Sequence, residues 1–191
     1  MFARTERLIL RPGWPEDAPR LASALNQIDI SRNLFHVPQP YSVADAAAWI
    51  SRPRDPRLPD LMVLLRTRGA PRLVGGCGIA RGQDGALELG YWIDRAHWGL
   101  GFATEAARAV MRIARATGLH RVRAGHFLDN PASGRVLSKI GFRPTGRIEA
   151  RLCRARNDIV PTAVYEDEAE ADPSEESLAM TIYRDAMLVP A

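Results

Sequence analysis

The sequence predicts a single-domain mixed α/β (α+β) fold, a central and mostly antiparallel twisted sheet of about seven strands flanked by helices. Three observations carry that prediction. Leu61 to Arg66, Leu73 to Arg81 and Ala86 to Asp94 read as successive strands, and Arg68-Gly69-Ala70-Pro71 and Gly82-Gln83-Asp84-Gly85 supply the turns of an antiparallel meander. The third of these strands, containing LELGYWID from Leu87 to Asp94, runs into a glycine loop and an alanine-rich helix, and a further strand follows. Strand-helix-strand after hairpins means a mixed sheet, neither doubly wound nor a sandwich. Finally, 191 residues suffice for one sizeable core and are few for two, and no internal repeat or second domain is visible.

The elements follow in order. Leu8 and Leu10 mark a first short strand, stopped by Pro12-Gly13. Glu16-Asp17 open a helix with Leu21, Leu25 and Ile28 at helical spacing. Ser42-Val43-Ala44-Asp45 resembles a capping box, in which a serine and an acid three residues on satisfy each other's backbone N–H, and it opens a second helix through Trp49-Ile50. Between these helices, Asn33 to Tyr41 holds Phe35, His36, Pro38 and Pro40, a loop with an apolar and aromatic bias. It is either a packed connector or the wall of a binding cleft. After the meander, the helix behind the glycine loop runs to about Thr117, burying Ala106, Ala107, Val110, Met111, Ile113 and Ala114, with Gly118 at its stop. Arg121 to Phe127 alternates as a strand. A helix from about Pro131 to Lys139 and a strand beginning at Phe142 come next. Glu166 to Glu176 carries seven acidic residues and a proline and reads as an exposed loop, and Leu178 to Arg184 as a last strand.

Composition narrows the function classes. Hydrophobic residues make up 46% and charged residues 25%, ordinary for a soluble domain. No apolar run approaches the roughly 18 residues that span a bilayer. The opening MFARTERLILRPG is charged where a secretory leader needs its apolar stretch, so the expectation is a cytoplasmic protein. The net charge is +4, but the arginines are scattered, with no basic run or base-stacking motif, which argues against nucleic acid as a partner. Cys77 and Cys153 have no CxxC or metal-like spacing, and no histidine–carboxylate cluster points to a metal, so none is expected.

The chemistry concentrates in two stretches. In HWGLGFATEA (97–106), a strand enters a short glycine loop that opens a helix, presenting consecutive backbone N–H groups suited to a phosphate or pyrophosphate. Gly99 and Gly101 allow close backbone approach, and Gly101 can take positive φ. Neither the P-loop nor the dinucleotide fingerprint is present. In NPASGRVLSKIGF (130–142), Asn130 caps the helix that Pro131 begins, Val136, Leu137 and Ile140 give its core stripe, and Gly141 ends it.

Together the two stretches resemble the GNAT superfamily of acyl-CoA-dependent N-acyltransferases. WGLGFATEA matches its pyrophosphate loop, Q/R-x-x-G-x-G/A, and NPASGRVLSKIGF its later Asn-x-x-Ser…Lys-x-Gly-Phe segment. TERLILRP and ELGYWID look like the branch of Rim-type acetyltransferases of ribosomal-protein N-termini. The resemblance covers roughly Thr5 to Arg184. It implies acetyl-CoA as donor, with the pyrophosphate held by backbone amides from about Gly99 to Thr104. The implied cofactor-binding set is Trp92, Ile93, Trp98, Gly99, Leu100, Gly101, Phe102, Ala103, Thr104, Asn130 and Ser133. Asn130 would contact the pantetheine arm or the strand beside it, and Ser133 would lie near the sulfur and protonate the thiolate. Trp98 stands at the Q/R position, so the loop's grip there must come from backbone groups.

The reaction itself sets further requirements. A protonated amine is no nucleophile until a base takes its proton, and the thioester carbonyl needs donors aimed at its developing negative charge. Glu88, on the strand feeding the glycine loop, shares a face with Gly90 and Trp92 and is the candidate base, acting through a water, or else an exposed strand carboxylate. A backbone N–H near Tyr91 or Trp92 is the expected oxyanion donor. His126 either packs or serves the site. Phe35, His36, Tyr41 and His126 form the candidate substrate-binding set, and His97 and His120 are assigned to the surface or to packing. With no cysteine at a nucleophile-like place, direct attack in a ternary complex is favoured over an acyl-enzyme. Protein N-terminus, amino acid, polyamine and aminoglycoside acceptors all stay open, as do acyl-chain preference and a homodimer. The alternatives are a non-catalytic acyl-CoA-binding or regulatory module and a ribosome-associated protein.

Overall fold

The computed structural model describes residues 1–82 and 84–167. Its strands are Ala3–Arg4 (β1), Leu8–Arg11 (β2), Asp60–Leu65 (β3), Arg72–Arg81 (β4), Leu87–Ile93 (β5), Arg123–Phe127 (β6), Phe142–Cys153 (β7) and Asp158–Asp167 (β8). They form one sheet in the order β1-β2-β3-β4-β5-β6-β8-β7. All neighbours are antiparallel except β5 and β6, which the intervening helix forces to be parallel. The helices are Ala18–Leu25 (α1), Ile28–Ser31 (α2), Val43–Ser51 (α3), Phe102–Ala116 (α4) and Pro131–Lys139 (α5).

Each face of the sheet has its own core, as alternating strand residues require. On one face Leu8, Leu10, Val63, Val74, Ile79 and Leu89 meet the α4 stripe of Phe102, Ala106, Ala107, Val110, Met111 and Ala114. Arg108, Arg112 and Arg115 stay exposed on the other side of that helix. Burying side chains such as Val110 and Met111 contributes about 1.5–3 kcal/mol each, enough to fix α4 and hence the loop that precedes it. On the opposite face Met62 and Leu64 pack under α1 and α3 through Leu21, Leu25, Ala46 and Ile50.

The capping box at α3 is present: Asp45 N–H donates to Ser42 Oγ at 3.0 Å, and Ser42 N–H donates to Asp45 Oδ2 at 2.8 Å. At the start of α1, Arg11 grips Asp17 through two hydrogen bonds of 2.6 and 2.9 Å, and both residues are buried. Trp14 N–H adds a third bond to Asp17 at 2.8 Å.

The mostly antiparallel sheet is present with eight described strands, and three sequence expectations need correction. The strand expected at Phe142 is the first arm of a hairpin, β7–β8. The missed arm, DIVPTAVYED, contains a proline, which weakens a strand pattern, but Pro161, opposite Ala150 of β7, sits just past the last β6 pair, Phe127↔Thr162, where β6 has ended. Glu166 and Asp167, expected in the acidic loop, belong to β8 and pair with Arg143 and Phe142. The rest of that segment, and the strand expected at Leu178–Arg184, lie outside the described residues. The first helix is not continuous: it opens as a single 3-10 turn at Pro15–Asp17 and breaks after Leu25, so Ile28 starts α2 and is exposed.

Candidate active site

Strand pairing opens the cleft. β5 and β6 are in register only at Glu88↔Arg123 and Leu89↔Ala124. Beyond that point β5 continues along β4 to Ile93, and β6 continues along β8 to Phe127. Between Gly90–Ile93 and Gly125–Phe127 the two strands therefore part. The wedge leads into a cleft of about 820 Å³ that runs from the glycine loop past α5 to the Asn33–Tyr41 loop.

The glycine loop closes one end. Gly99 and Gly101 both take left-handed φ, +76° and +80°, which a side chain would strain. Nothing lies within 4 Å of where a Cβ of Gly99 would be. The α4 ladder begins with Glu105 N–H donating to the Gly101 carbonyl at 3.1 Å, so the amides of Phe102, Ala103 and Thr104 precede the first helical bond. They sit at the positive end of a 15-residue helix. Such a cradle of amides and glycines fits a pyrophosphate.

Side chains around the loop serve its architecture. Leu100 and Gly101 are exposed, whereas Phe102 is buried in the core, so Phe102 can meet a ligand only through its backbone. Trp98, half exposed, donates its indole N–H to the Ile93 carbonyl at 2.7 Å and braces the loop against the end of β5. Ile93 is buried among core residues, leaving its backbone as its contribution to the site. Trp92 lies on the other face, over Gly76, where an added Cβ would come within 2.5 Å of its indole nitrogen. That contact explains the glycine in β4.

At the wedge itself, Asn130 caps α5 by accepting from Ser133 N–H at 3.4 Å. The Tyr91 hydroxyl donates to the Ser133 carbonyl at 2.9 Å and lies 2.8 Å from Ser133 Oγ. With the phenol proton on the carbonyl, Ser133 Oγ–H is left to donate to Tyr91 Oη. Burial pushes the Tyr91 phenol up, partly offset by its bond to Ser133, so it stays protonated. Sequence reasoning noted Tyr91 only for its backbone. Its side chain, placed by the strand alternation toward α4 and α5, was readable as a bridge only once α5 was known to lie across the wedge.

Glu88 lines the cleft on the opposite face, where its carboxylate is bound by the Arg151 guanidinium of β7. Arg151 also holds Glu149 Oε2 through bonds of 3.1 and 2.9 Å and stacks 5.0 Å over the Phe35 ring. Burial would lower the Arg151 pKa, but Glu88 and Glu149 outweigh it and the guanidinium is held above its ordinary range. Sequence reasoning missed Arg151 and Glu149, since nothing local marks residues that reach the site through hairpin pairing.

Of the candidate substrate residues, Phe35 and the exposed His36 line the cleft. Tyr41 also borders it, but the residue is buried in the α1–α3 core and tied through its backbone N–H to Asn26 Oδ1 at 2.9 Å. His126 is wedged under α5, with Nδ1 2.8 Å from the Phe127 carbonyl and its ring 5.4 Å from that of Tyr165. His97 is half-buried and borders the cleft. Gly90 forms an open floor between Glu88 and Trp92, with nothing within 4 Å of an added Cβ. Among the described residues, no three or more of His, Cys, Asp and Glu are grouped to hold a metal, and no helix is long and apolar enough to cross a membrane.

Two central strands that part beside a helix N-terminus give a cleft with an anion-binding end. A model of the acetyltransferase (GNAT) domain matches residues 7–143, and the chain belongs to that family of acetyltransferase enzymes. The uncharacterized N-acetyltransferase YoaA of Bacillus subtilis (strain 168) is 32% identical over 150 residues, 74% of this chain and 82% of that protein. The probable N-acetyltransferase YjcK of the same organism is 37% identical over 105 residues, 53% of this chain, and the match spans only 54% of YjcK. Among solved structures, Mycobacterium smegmatis RimJ in complex with CoA-disulfide shares the fold, with a TM-score of 0.69 at 22% identity, covering 87% of this chain and 84% of that one.

Proposed function

We propose that this cleft transfers an acetyl group from acetyl-CoA to a primary amine by direct attack within a ternary complex. The observation that carries the reading is the pairing of β5 with β6, which stops at Leu89 and Ala124 and leaves a wedge between the amide cradle of Gly99–Thr104 and the Ser133 hydroxyl. The cradle supplies amides to the pyrophosphate, and the wedge admits the pantetheine arm beside Asn130. The acetyl carbonyl then meets a backbone N–H of β5 near Tyr91 or Trp92, which stabilises the negative charge formed when the amine adds.

Glu88 removes the amine's extra proton through a water, on the face that Gly90 leaves open. Arg151 fixes the carboxylate in place and leaves its second oxygen to take the proton. When the carbon–sulfur bond breaks, Ser133 Oγ, held 2.8 Å from the protonated Tyr91 hydroxyl, gives its proton to the thiolate and takes one back from solvent. Both cysteines are buried, and burial pushes the Cys77 thiol well above its ordinary value, which supports direct transfer without a thioester intermediate on the protein.

Thiol release from acetyl-CoA is the assay, run against a panel of amines that begins with N-terminal peptides. Glu88→Gln should lower kcat about 100-fold, within the usual range for a general base, and leave the Kd for acetyl-CoA unchanged. An unchanged kcat would remove Glu88 from the chemistry.

A further inference from the structure

The family's donor loop does not stand by itself in this chain. Arg7, in the turn between β1 and β2, donates Nη1 to the Leu100 carbonyl at 2.8 Å. Its Nε donates to Glu105 Oε2 at 2.7 Å, and its guanidinium lies 4.6 Å over the Phe102 ring. Arg7 N–H donates to Glu105 Oε1 at 3.0 Å, and Thr5 Oγ1 donates to the same oxygen at 2.6 Å. Thus the Thr5-Glu6-Arg7 segment grips the glycine loop and the first turn of α4 from outside the cleft.

We propose that Arg7 is a positioning residue for donor binding, acting through the loop in two ways. A trans peptide points its C=O and N–H in opposite directions. Fixing the Leu100 carbonyl on Arg7 therefore aims the Gly101 N–H away from the guanidinium, toward the open side of the loop. The second effect is electrostatic. Glu105 lies in the first turn of α4, where an unpaired carboxylate would repel a pyrophosphate and cancel part of the helix's positive end. Arg7 neutralises that charge. The opening motif TERLILRP thereby gains a role at a site more than ninety residues away in sequence. This inference rests on the reading of the loop as a pyrophosphate cradle.

The test is isothermal titration of wild type, Arg7→Gln, Arg7→Lys and the double variant Arg7→Gln/Glu105→Gln with acetyl-CoA. Arg7→Gln should raise Kd about tenfold, the scale of one charge-assisted hydrogen bond and one uncompensated charge. Arg7→Lys, which restores the charge without the fork that reaches both Leu100 and Glu105, should fall between. The double variant should bind more tightly than Arg7→Gln, because the repelling carboxylate is gone. A merely structural clamp gives the opposite order, since the second substitution would only loosen it further. Wild-type binding with an unchanged Kd in Arg7→Gln, or a double variant weaker than the single one as a merely structural clamp would give, overturns the proposed role of Arg7 and leaves the cradle standing. Failure of the wild type to bind acetyl-CoA overturns the cradle and the clamp together.

Discussion

The half of the cleft proposed to hold the donor and the half proposed to take the acceptor are built in opposite ways. The donor half comes from contiguous sequence and from backbone: β5 ends, Gly99 and Gly101 turn in the left-handed region, and α4 offers its first amides. The acceptor half is assembled from side chains far apart in sequence. Phe35 comes from the loop after α2, Glu88 from β5, and Arg151 and Glu149 from β7, joined by one guanidinium. A backbone site recognises what every acyl-CoA shares, whereas a side-chain site changes with a few substitutions. The same scaffold can thus keep one donor and vary its acceptor.

Several changes should separate the halves. Gly90→Leu places a side chain over the open floor between Glu88 and Trp92 without meeting any atom within 4 Å at Cβ. It should raise the acceptor KM at least tenfold and leave the acetyl-CoA Kd within twofold, by steady-state kinetics and titration. A parallel loss of both would mean that the halves are not separable. A smaller effect tests the scaffold beneath the acceptor side. Burial alone would raise the Asp17 pKa, but hydrogen bonds from Arg11 and Trp14 and the charges of Arg11 and Arg20 outweigh it and hold the carboxyl below its ordinary value. The stabilisation is full above the unfolded pKa of about 3.9 and is lost as pH falls through the lower folded value. The gap in Tm between wild type and Asp17→Asn should be largest at neutral pH, hold to about pH 5, and shrink below about pH 4. A gap that is constant down to pH 3 would contradict the linkage.

What could be read from sequence follows the same division. Gly99 and Gly101, the Asn130 cap with Pro131, and the Ser42–Asp45 box are local rules of backbone chemistry, and each is present in the fold. The meander is equally local, and its register keeps Glu88, Gly90 and Trp92 on one face. The β7–β8 hairpin is local as well, but Pro161 interrupts the strand pattern of its second arm and that arm's pairing with β6 is long-range, so the arm was missed and with it the placing of Arg151 beside Glu88. Arg7 escaped for a related reason. A strand-end arginine carries no sign of reaching Leu100, and only the packing of β2 against α4 brings the two together. Tyr91 shows a milder form: the residue stood inside a recognised motif, but its hydrogen bond to Ser133 depends on tertiary placement.

The central claim is that a glycine-turned helix N-terminus holds the donor through backbone amides. Titration of the wild type and of Gly101→Val with acetyl-CoA tests it most directly. The account predicts micromolar binding by the wild type and at least tenfold weaker binding by Gly101→Val, whose branched side chain is strained at φ +80°. No binding by the wild type at millimolar acetyl-CoA, or equal binding by a folded Gly101→Val, would contradict it.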